Sequence, residues 1–323
     1  MNSDNGERHL AELDAWRGGA ILLLLCGHFG VFFPMGRLGV EFFFVLSGRL
    51  MAEILFVRKT PLPIFYLRRA SRILPALCMF VLAIWGLTRA YPAFAVDGID
   101  VVKALTFTMN YFPGPPAMDH IWSLCIEEHA YLLLSLLAFC RLRWSFNVAA
   151  VLAGIAVLCI ANGALRTYVG GGTYYDVFWR TDTRGASIFM AAALYLYLRL
   201  SNKKQPSWLP VVAVVIGVLL HLAARVPDPV KYSVGTLLLA YGVVAVASVP
   251  QWLLRFVKNP ILTQFGLWSF SIYLWQQPFT RFGTAGLVFV IPISLLSYYC
   301  IERPARSYLN GLAVRTSRRA VEA

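Results

Sequence analysis

Charge is scarce in this 323-residue chain: Asp, Glu, Lys and Arg make up 14% of it, and 16 acidic residues stand against 29 basic ones. With 59% hydrophobic residues and a mean hydropathy of +0.64, that scarcity excludes an ordinary soluble domain. Histidine is sparse too, five in all and scattered without metal-ligand spacing, so no metal site and no bound cofactor are expected. Cysteine is limited to Cys26, Cys78, Cys125, Cys140, Cys159 and Cys300, all within apolar runs, where they read as small core residues and not as a disulfide or zinc framework. There is no low-complexity linker, no internal repeat and no soluble domain of useful size. Residues 1–9 lack a basic n-region and a small-residue cleavage site, so no removed signal peptide is expected. The net charge of +13 falls in short clusters between apolar runs, the pattern of cytoplasmic loops, and does not point to nucleic acid.

What the chain has in abundance is apolar runs of membrane-spanning length. Read against loop punctuation they give about ten candidate spans, near 14–33, 38–56, 73–90, 119–140, 145–163, 185–200, 208–224, 233–250, 261–281 and 284–301. The expected fold is all-α, a polytopic integral membrane protein of about ten transmembrane helices. Residues 1–12 form a short cytoplasmic tail, 13–302 the transmembrane domain and 303–323 a basic cytoplasmic tail beside the inner surface. The stretch 99–112 is too short to span and reads as re-entrant or interfacial. With the N-terminus inside, basic residues favour the inner loops over the outer ones by roughly two to one, placing both termini in the cytoplasm. The tail and the membrane lipids are expected partners through its basic charge.

The first span carries ionisable groups that cost about 2 to 3 kcal/mol each at membrane depth in charged form, and so point to function. Arg17 and His28, eleven residues apart, lie about 16 Å apart in depth on nearly one helical face. Asp14 falls close to that face and pairs with Arg17 at i, i+3. A titratable imidazole is the usual general base when a hydroxyl must lose a proton; the bland alternative is a polar residue joining two helices. Trp122-Ser123-Leu124-Cys125-Ile126-Glu127 opens the fourth span, and counting depth from the outer surface lets Glu127 share an outer cavity with His28. The alternative for Glu127 is a helix-end carboxylate near water.

Arg68, Arg69 and Arg72 lead into the third span, either as topology signal and lipid-headgroup contact or as an anion clamp with Arg17. Arg184 precedes the sixth span, as a snorkelling interfacial side chain or as a ligand contact. Glu41 lies in the second span, where Ser47-Gly48 permits close helix approach. Tyr273, Trp275 and Pro278 suit an aromatic belt, and Glu302-Arg303 a local ion pair at the inner surface.

Six of these stretches, in order over nearly the whole chain, resemble the acyltransferase 3 membrane proteins. They are Leu13-Asp14-x-x-Arg17-Gly18 with His28; Gly39-Val40-Glu41-x-Phe43-Phe44-Val45-Leu46-Ser47-Gly48; Arg68-Arg69-x-x-Arg72-Ile73-x-Pro75; Trp122-Ser123-Leu124-x-x-Glu127; Ser271-x-Tyr273-Leu274-Trp275; and Glu302-Arg303-Pro304. The resemblance implies a bacterial inner-membrane enzyme of ten helices that moves an acyl group, acetyl being the first expectation, from cytoplasmic acyl-CoA to a hydroxyl of a glycan or small acceptor. It puts the catalytic role on His28, donor binding on Arg17, Arg68, Arg69 and Arg72, and a site role on Glu127. Asp14 completes the expected catalytic set, and Glu41, Trp122, Ser123, Arg184 and Tyr273 the acceptor side. The chain departs from the family at Gln276, where a histidine is usual, at Arg49, where an aromatic is usual, and at His129, where glutamine is common. The expectation is the single-domain type, without the hydrolase-like domain of some larger relatives.

The expected chemistry is direct: His28 takes the proton of an acceptor hydroxyl and the alkoxide attacks the thioester, with an acyl-histidine as the other route. A transporter or flippase for a glycolipid or small anion, using the same polar stripe, is the competing class; broken helices and repeat symmetry are what it would show.

Overall fold

The computed structural model describes residues 2–30, 32–201, 205–250, 252, 254–255 and 259–311, and they form helices and turns with no strand among them. The basic residues Lys203, Lys204, Lys258, Arg315, Arg318 and Arg319, which helped set the expected topology, lie outside the described residues. The chain divides into two units: Met1–Arg58 with Ser123–Leu267, and Lys59–Trp122 with Trp268–Ala323.

The first unit is built on an antiparallel pair, α1 (Asn2–His28) and α2 (Pro34–Ala52). Gly30, with φ +104°, takes the left-handed conformation that an L side chain resists, and Pro34 pre-sets the first turn of α2, so the chain reverses within a few residues. A π-helical turn, Glu53–Val57, extends α2 and ends where Arg58 Nη2 pairs with Glu53 at 2.5 Å. Around the pair stand α5 (Trp122–Arg143, in this unit from Ser123), α6 (Val148–Tyr168), the short α7 (Tyr174–Phe178) and α8 (Thr181–Arg184), α9 (Ala186–Ser201), α10 (Leu209–Leu222), α11 (Asp228–Val230) and α12 (Thr236–Val244). Asn147 caps α6 by accepting the Ala150 N–H, which offsets one of the unpaired donors at a helix start. The core joins Leu13 and Ala20 of α1 to Leu38, Phe42, Val45 and Leu46 of α2, and to Ala191, Leu239, Ala240 and Val243. At Gly48 a Cβ would fall 2.1 Å from the Ile188 carbonyl oxygen, so α2 and α9 touch backbone to backbone there.

The second unit contains α3 (Leu62–Leu87), with Pro75 in its interior, and α4 (Gly98–Leu105), an eight-residue helix held by a capping box between Asp97 and Asp100. α13 (Pro260–Gln276) enters this unit at Trp268 and is followed by the 3-10 segment Gln277–Gly286, α14 (Leu287–Ser297) and the π turn Tyr298–Glu302. The stretch expected to be re-entrant or interfacial contains α4, about 12 Å long and too short to cross a bilayer.

Among the described residues four helical segments are long and apolar enough to cross a membrane: Leu62–Leu87, Asp119–Arg143, Val148–Tyr168 and Pro260–Gly311. This corrects the expected ten. The second expected span, now α2, carries Arg37, Glu41 and Arg49, while α9, α10 and α12 have 16, 14 and 9 residues, short of the roughly 20 that a bilayer core requires. The last two expected spans run together in one 52-residue helical stretch broken only in backbone conformation at Gly283. Residues 2–12, expected as a tail, are the first turns of α1, and residues 312–323 of the expected C-terminal tail lie outside the described residues.

Candidate active site

Because α1 is unbroken from Asn2 to His28, the interval between Arg17 and His28 is about 16 Å of helix. Arg17 Nη1 lies 3.2 Å from Asp14 Oδ1, the i, i+3 pair of the sequence reading. At the other end, His28 is half-buried and its ring rests on α2 where that helix has no side chain. A Cβ on Gly36 would stand 3.0 Å from Cδ2 and 3.2 Å from Nε2 of the imidazole, and a Cβ on Gly27 only 2.1 Å from the Gly36 nitrogen. Two glycines thus let the backbones meet and leave a seat for the ring. Further along, Trp16 stacks on Phe42 with centroids 5.5 Å apart, which fixes the antiparallel register.

Glu127 of α5 accepts a 2.7 Å hydrogen bond from Ser47 Oγ. Ser47 is eleven residues beyond Gly36 on α2, about 16 Å along the helix and past the Trp16–Phe42 contact, toward the Asp14 end of α1. His28 and Glu127 therefore engage opposite ends of α2. The expected depth of Glu127 is counted from a membrane surface at the start of the fourth span, residue 119; α5 instead meets α2 about 20 Å along that helix from Pro34.

A second polar centre lies on α2 between those ends. Glu41 and Arg184 are paired at 2.7 Å, Oε2 to Nη2, with both side chains fully buried. Ser187 Oγ donates to Glu41 Oε1 at 2.6 Å and Thr236 Oγ1 donates to the same oxygen. The Arg184 guanidinium lies flat over Tyr232, 3.5 Å from the ring centroid, and 5.7 Å from Phe44. Asp182 takes Arg180 at 3.0 Å and Arg166 at 3.5 Å, joining α8 to α6 just before Arg184. The snorkelling alternative for Arg184 is thereby ruled out: the side chain points inward, to a carboxylate. Arg49, also on α2, is 4% exposed with its guanidinium 5.5 Å from the Tyr195 ring.

The remaining expected residues belong to the second unit, except Ser123, which is buried at the head of α5. Arg68 is exposed and Arg69 and Arg72 half-buried at the start of α3, where Ser71 bonds Asn310 Oδ1 at 3.2 Å. Trp122 and Tyr273 are both buried, and the Tyr273 hydroxyl donates to the His120 carbonyl. Phe80 meets both His120 and Trp275 edge-on, at 5.5 and 5.3 Å. Tyr273 and Trp275, each 8% exposed, are not a lipid-facing belt. Gln276, 0% exposed, donates to Gln277 Oε1, and Gln277 donates in turn to Asp119 Oδ1 at 2.9 Å. Two of the motif stretches meet where Ser271 Oγ donates to the buried Glu302 at 2.8 Å.

Sequence reading missed Ser187, Tyr232 and Thr236 around Glu41, and His120 and Asp119 near Tyr273. The first three are uncharged residues inside apolar helices and carry no signal in one sequence. Asp119 and His120 sit one residue before Trp122-Ser123 and were detectable as two titratable groups at the head of a span.

An all-helical protein with four membrane-length helices, charged residues paired in its interior and a histidine seated between two helices is the class these features define. The chain belongs to the acyltransferase 3 family, whose model, described as an acyltransferase domain, matches residues 10–301. Among its curated relatives are "Peptidoglycan O-acetyltransferase OatA" of Listeria monocytogenes, 24% identical over 94% of this chain and 56% of that protein, and "Putative peptidoglycan O-acetyltransferase YrhL" of Bacillus subtilis, 25% identical over 93% and 55%. A "Putative O-acetyltransferase" of Staphylococcus aureus is 26% identical over 93% of this chain and 58% of its own length. The chain spans about half the length of the curated relatives it matches. No solved structure matches it.

Proposed function

We propose that this protein is a membrane O-acyltransferase that moves an acyl group, acetyl in the first instance, from cytoplasmic acyl-CoA to a hydroxyl of a cell-envelope glycan. The observation that carries the reading is the placement of His28. Its imidazole is held on a glycine seat between two helices at one end of a polar stripe, and the Asp14–Arg17 pair stands at the other end, in a chain that matches the family over residues 10–301. The names of the relatives favour acetyl as the group and peptidoglycan as the acceptor. In the proposed reaction His28 removes the acceptor proton, the alkoxide attacks the thioester carbonyl, and the CoA thiolate leaves and takes up a proton, so no resident cofactor is required. Arg17, Arg68, Arg69 and Arg72 are proposed to hold the donor phosphates, since guanidinium forks match oxyanions. Glu127, bonded to Ser47, belongs with the Arg17 end of this arrangement. The proposed setting is a bacterial inner membrane with both termini in the cytoplasm.

The test is thiol release from acetyl-CoA by purified protein in the presence of a glycan acceptor. Acyl transfer by the wild type that His28→Ala abolishes, in protein that still inserts and unfolds at the wild-type temperature, supports the reading. Full turnover by that variant rejects His28 as the base, and absence of thiol release by the wild type rejects the enzyme in favour of a transporter.

A further inference from the structure

In the first unit Arg17, Arg58, Arg166, Arg180 and Arg184 each face a carboxylate. Arg37 does not. Its guanidinium lies 3.6 Å over the centroid of Tyr174 and 5.1 Å from that of Phe33, and among the described residues no carboxylate pairs with it. Its Nε is buried without a hydrogen-bond acceptor. An arginine stacked by its plane keeps its N–H bonds directed outward within that plane, so stacking on Tyr174 orients the charge without using up its donors.

We infer that Arg37 is a recognition point for a carboxylate carried by the hydroxylated acceptor. This rests on the proposed role of His28, because Arg37 is the residue next to Gly36, on which the imidazole sits. A carboxylate arriving in the guanidinium plane takes two parallel N–H···O bonds, a geometry that an isolated hydroxyl cannot reproduce. The surroundings favour a saccharide over a lipid headgroup. Phe33, 52% exposed, borders the cation, and Tyr175, 53% exposed, stands next to Tyr174 with ring centroids 5.5 Å apart, so aromatic surface lies open around the cation. Tyr174 itself is fixed from below, stacked on Phe178 at 5.9 Å and tilted against Tyr232 at 6.0 Å, and Tyr232 lies under Arg184. The aromatic wall that aims Arg37 is thus anchored to the buried Glu41–Arg184 pair. Arg37 selects which acceptor is held, and His28 acts on its hydroxyl.

The experiment uses the full chain in neutral-lipid nanodiscs and two probes: a disaccharide of N-acetylglucosamine and N-acetylmuramic acid with its lactyl carboxylate free, and the same disaccharide as the carboxamide. The expected result is that the wild type binds the carboxylate form about tenfold more tightly, the loss of one charge-assisted bond. Arg37→Gln should bind both forms alike, and Arg37→Lys should recover part of the difference. His28→Ala should keep the preference. Equal binding of the two forms by the wild type, or an undiminished preference in Arg37→Gln, overturns the inference. So does an Arg37-dependent retention of phosphatidylglycerol from mixed vesicles without any saccharide preference, which assigns the cation to lipid. If the carboxylate preference stands while His28→Ala still transfers acyl groups, the proposed role of His28 falls and Arg37 keeps its own.

Discussion

Glu41 Oε2 and Arg184 Nη2 stand 2.7 Å apart with no exposed surface on either side chain, so one helix of the first unit is fastened to the segment leading into another by an ion pair out of reach of water. Such a pair contributes less to net stability than its Coulomb attraction suggests, because both ions were stripped of water to form it. Breaking it is a different matter. Glu41→Gln or Arg184→Gln should each lower unfolding free energy by about 3 to 5 kcal/mol, since each leaves an uncompensated buried charge. The double substitution Glu41→Leu with Arg184→Met should cost less than the two single losses combined. Denaturation of purified protein in detergent measures all of these, and additive losses would show that the two groups do not act as a pair.

The His28 seat gives a sharper probe of chemistry. At Gly36 an added methyl meets the imidazole at 3.0 Å, which a ring can relieve by a small shift, whereas at Gly27 it meets backbone nitrogen at 2.1 Å, which must move the helices. Gly36→Ala should therefore fold normally and lose turnover by about tenfold to a hundredfold through a misplaced base. Gly27→Ala should lose stability. Thermal unfolding and acyl transfer measured on both variants separate the two effects, and a Gly36→Ala enzyme of full activity would remove the ring from the reaction.

Replacing Arg68, Arg69 and Arg72 together by Gln should raise the KM for acyl-CoA and leave the acceptor KM near its wild-type value. The donor dependence of initial rates decides this. An unchanged KM for acyl-CoA assigns these arginines, which range from half-buried to exposed, to topology and lipid contact.

The turn that presents Tyr174 should respond to acid. Asp176 is held below its ordinary value of 3.8 by the Thr173 hydroxyl, which donates to its carboxylate at 2.6 Å, and then by the Thr173 N–H, whose bond is one half of a capping box. A carboxyl whose folded pKa is lowered contributes its stabilisation fully above the unfolded pKa and loses it as pH falls through the folded value. Amide exchange in 173–178 should thus be protected at neutral pH and unprotected below that lowered value. In Thr173→Ala the protection should be weak at neutral pH already; a pH profile identical to the wild type would exclude the cap as its cause.

Much of this protein was legible without coordinates. The helical class followed from apolar runs and scarce charge. The Asp14–Arg17 pair and the axial spacing of Arg17 and His28 followed from helical period alone, because α1 is continuous and its geometry is local. That the stretch 99–112 is too short to span, and that Gly48 lets helices approach closely, were equally readable, since length and missing Cβ atoms act directly on backbone position. The count of spans was not, because hydropathy treats every apolar run alike, whereas α9, α10 and α12 stop short and α2 keeps three charged residues.

Partnership was decided only in three dimensions. Nothing in the spacing of Glu41 and Arg184, 143 residues apart by their own numbering, says that they form an ion pair, or that Ser187 and Thr236 share the carboxylate. Nor could counting residues from a loop reveal that α5 meets α2 at Ser47 and so carries Glu127 away from the His28 end. A sequence determines which side chains lie on a common face of one helix, because period and rise are fixed by the backbone. Which faces of different helices meet depends on how the whole set packs, and that is where the buried charges of this protein find their partners.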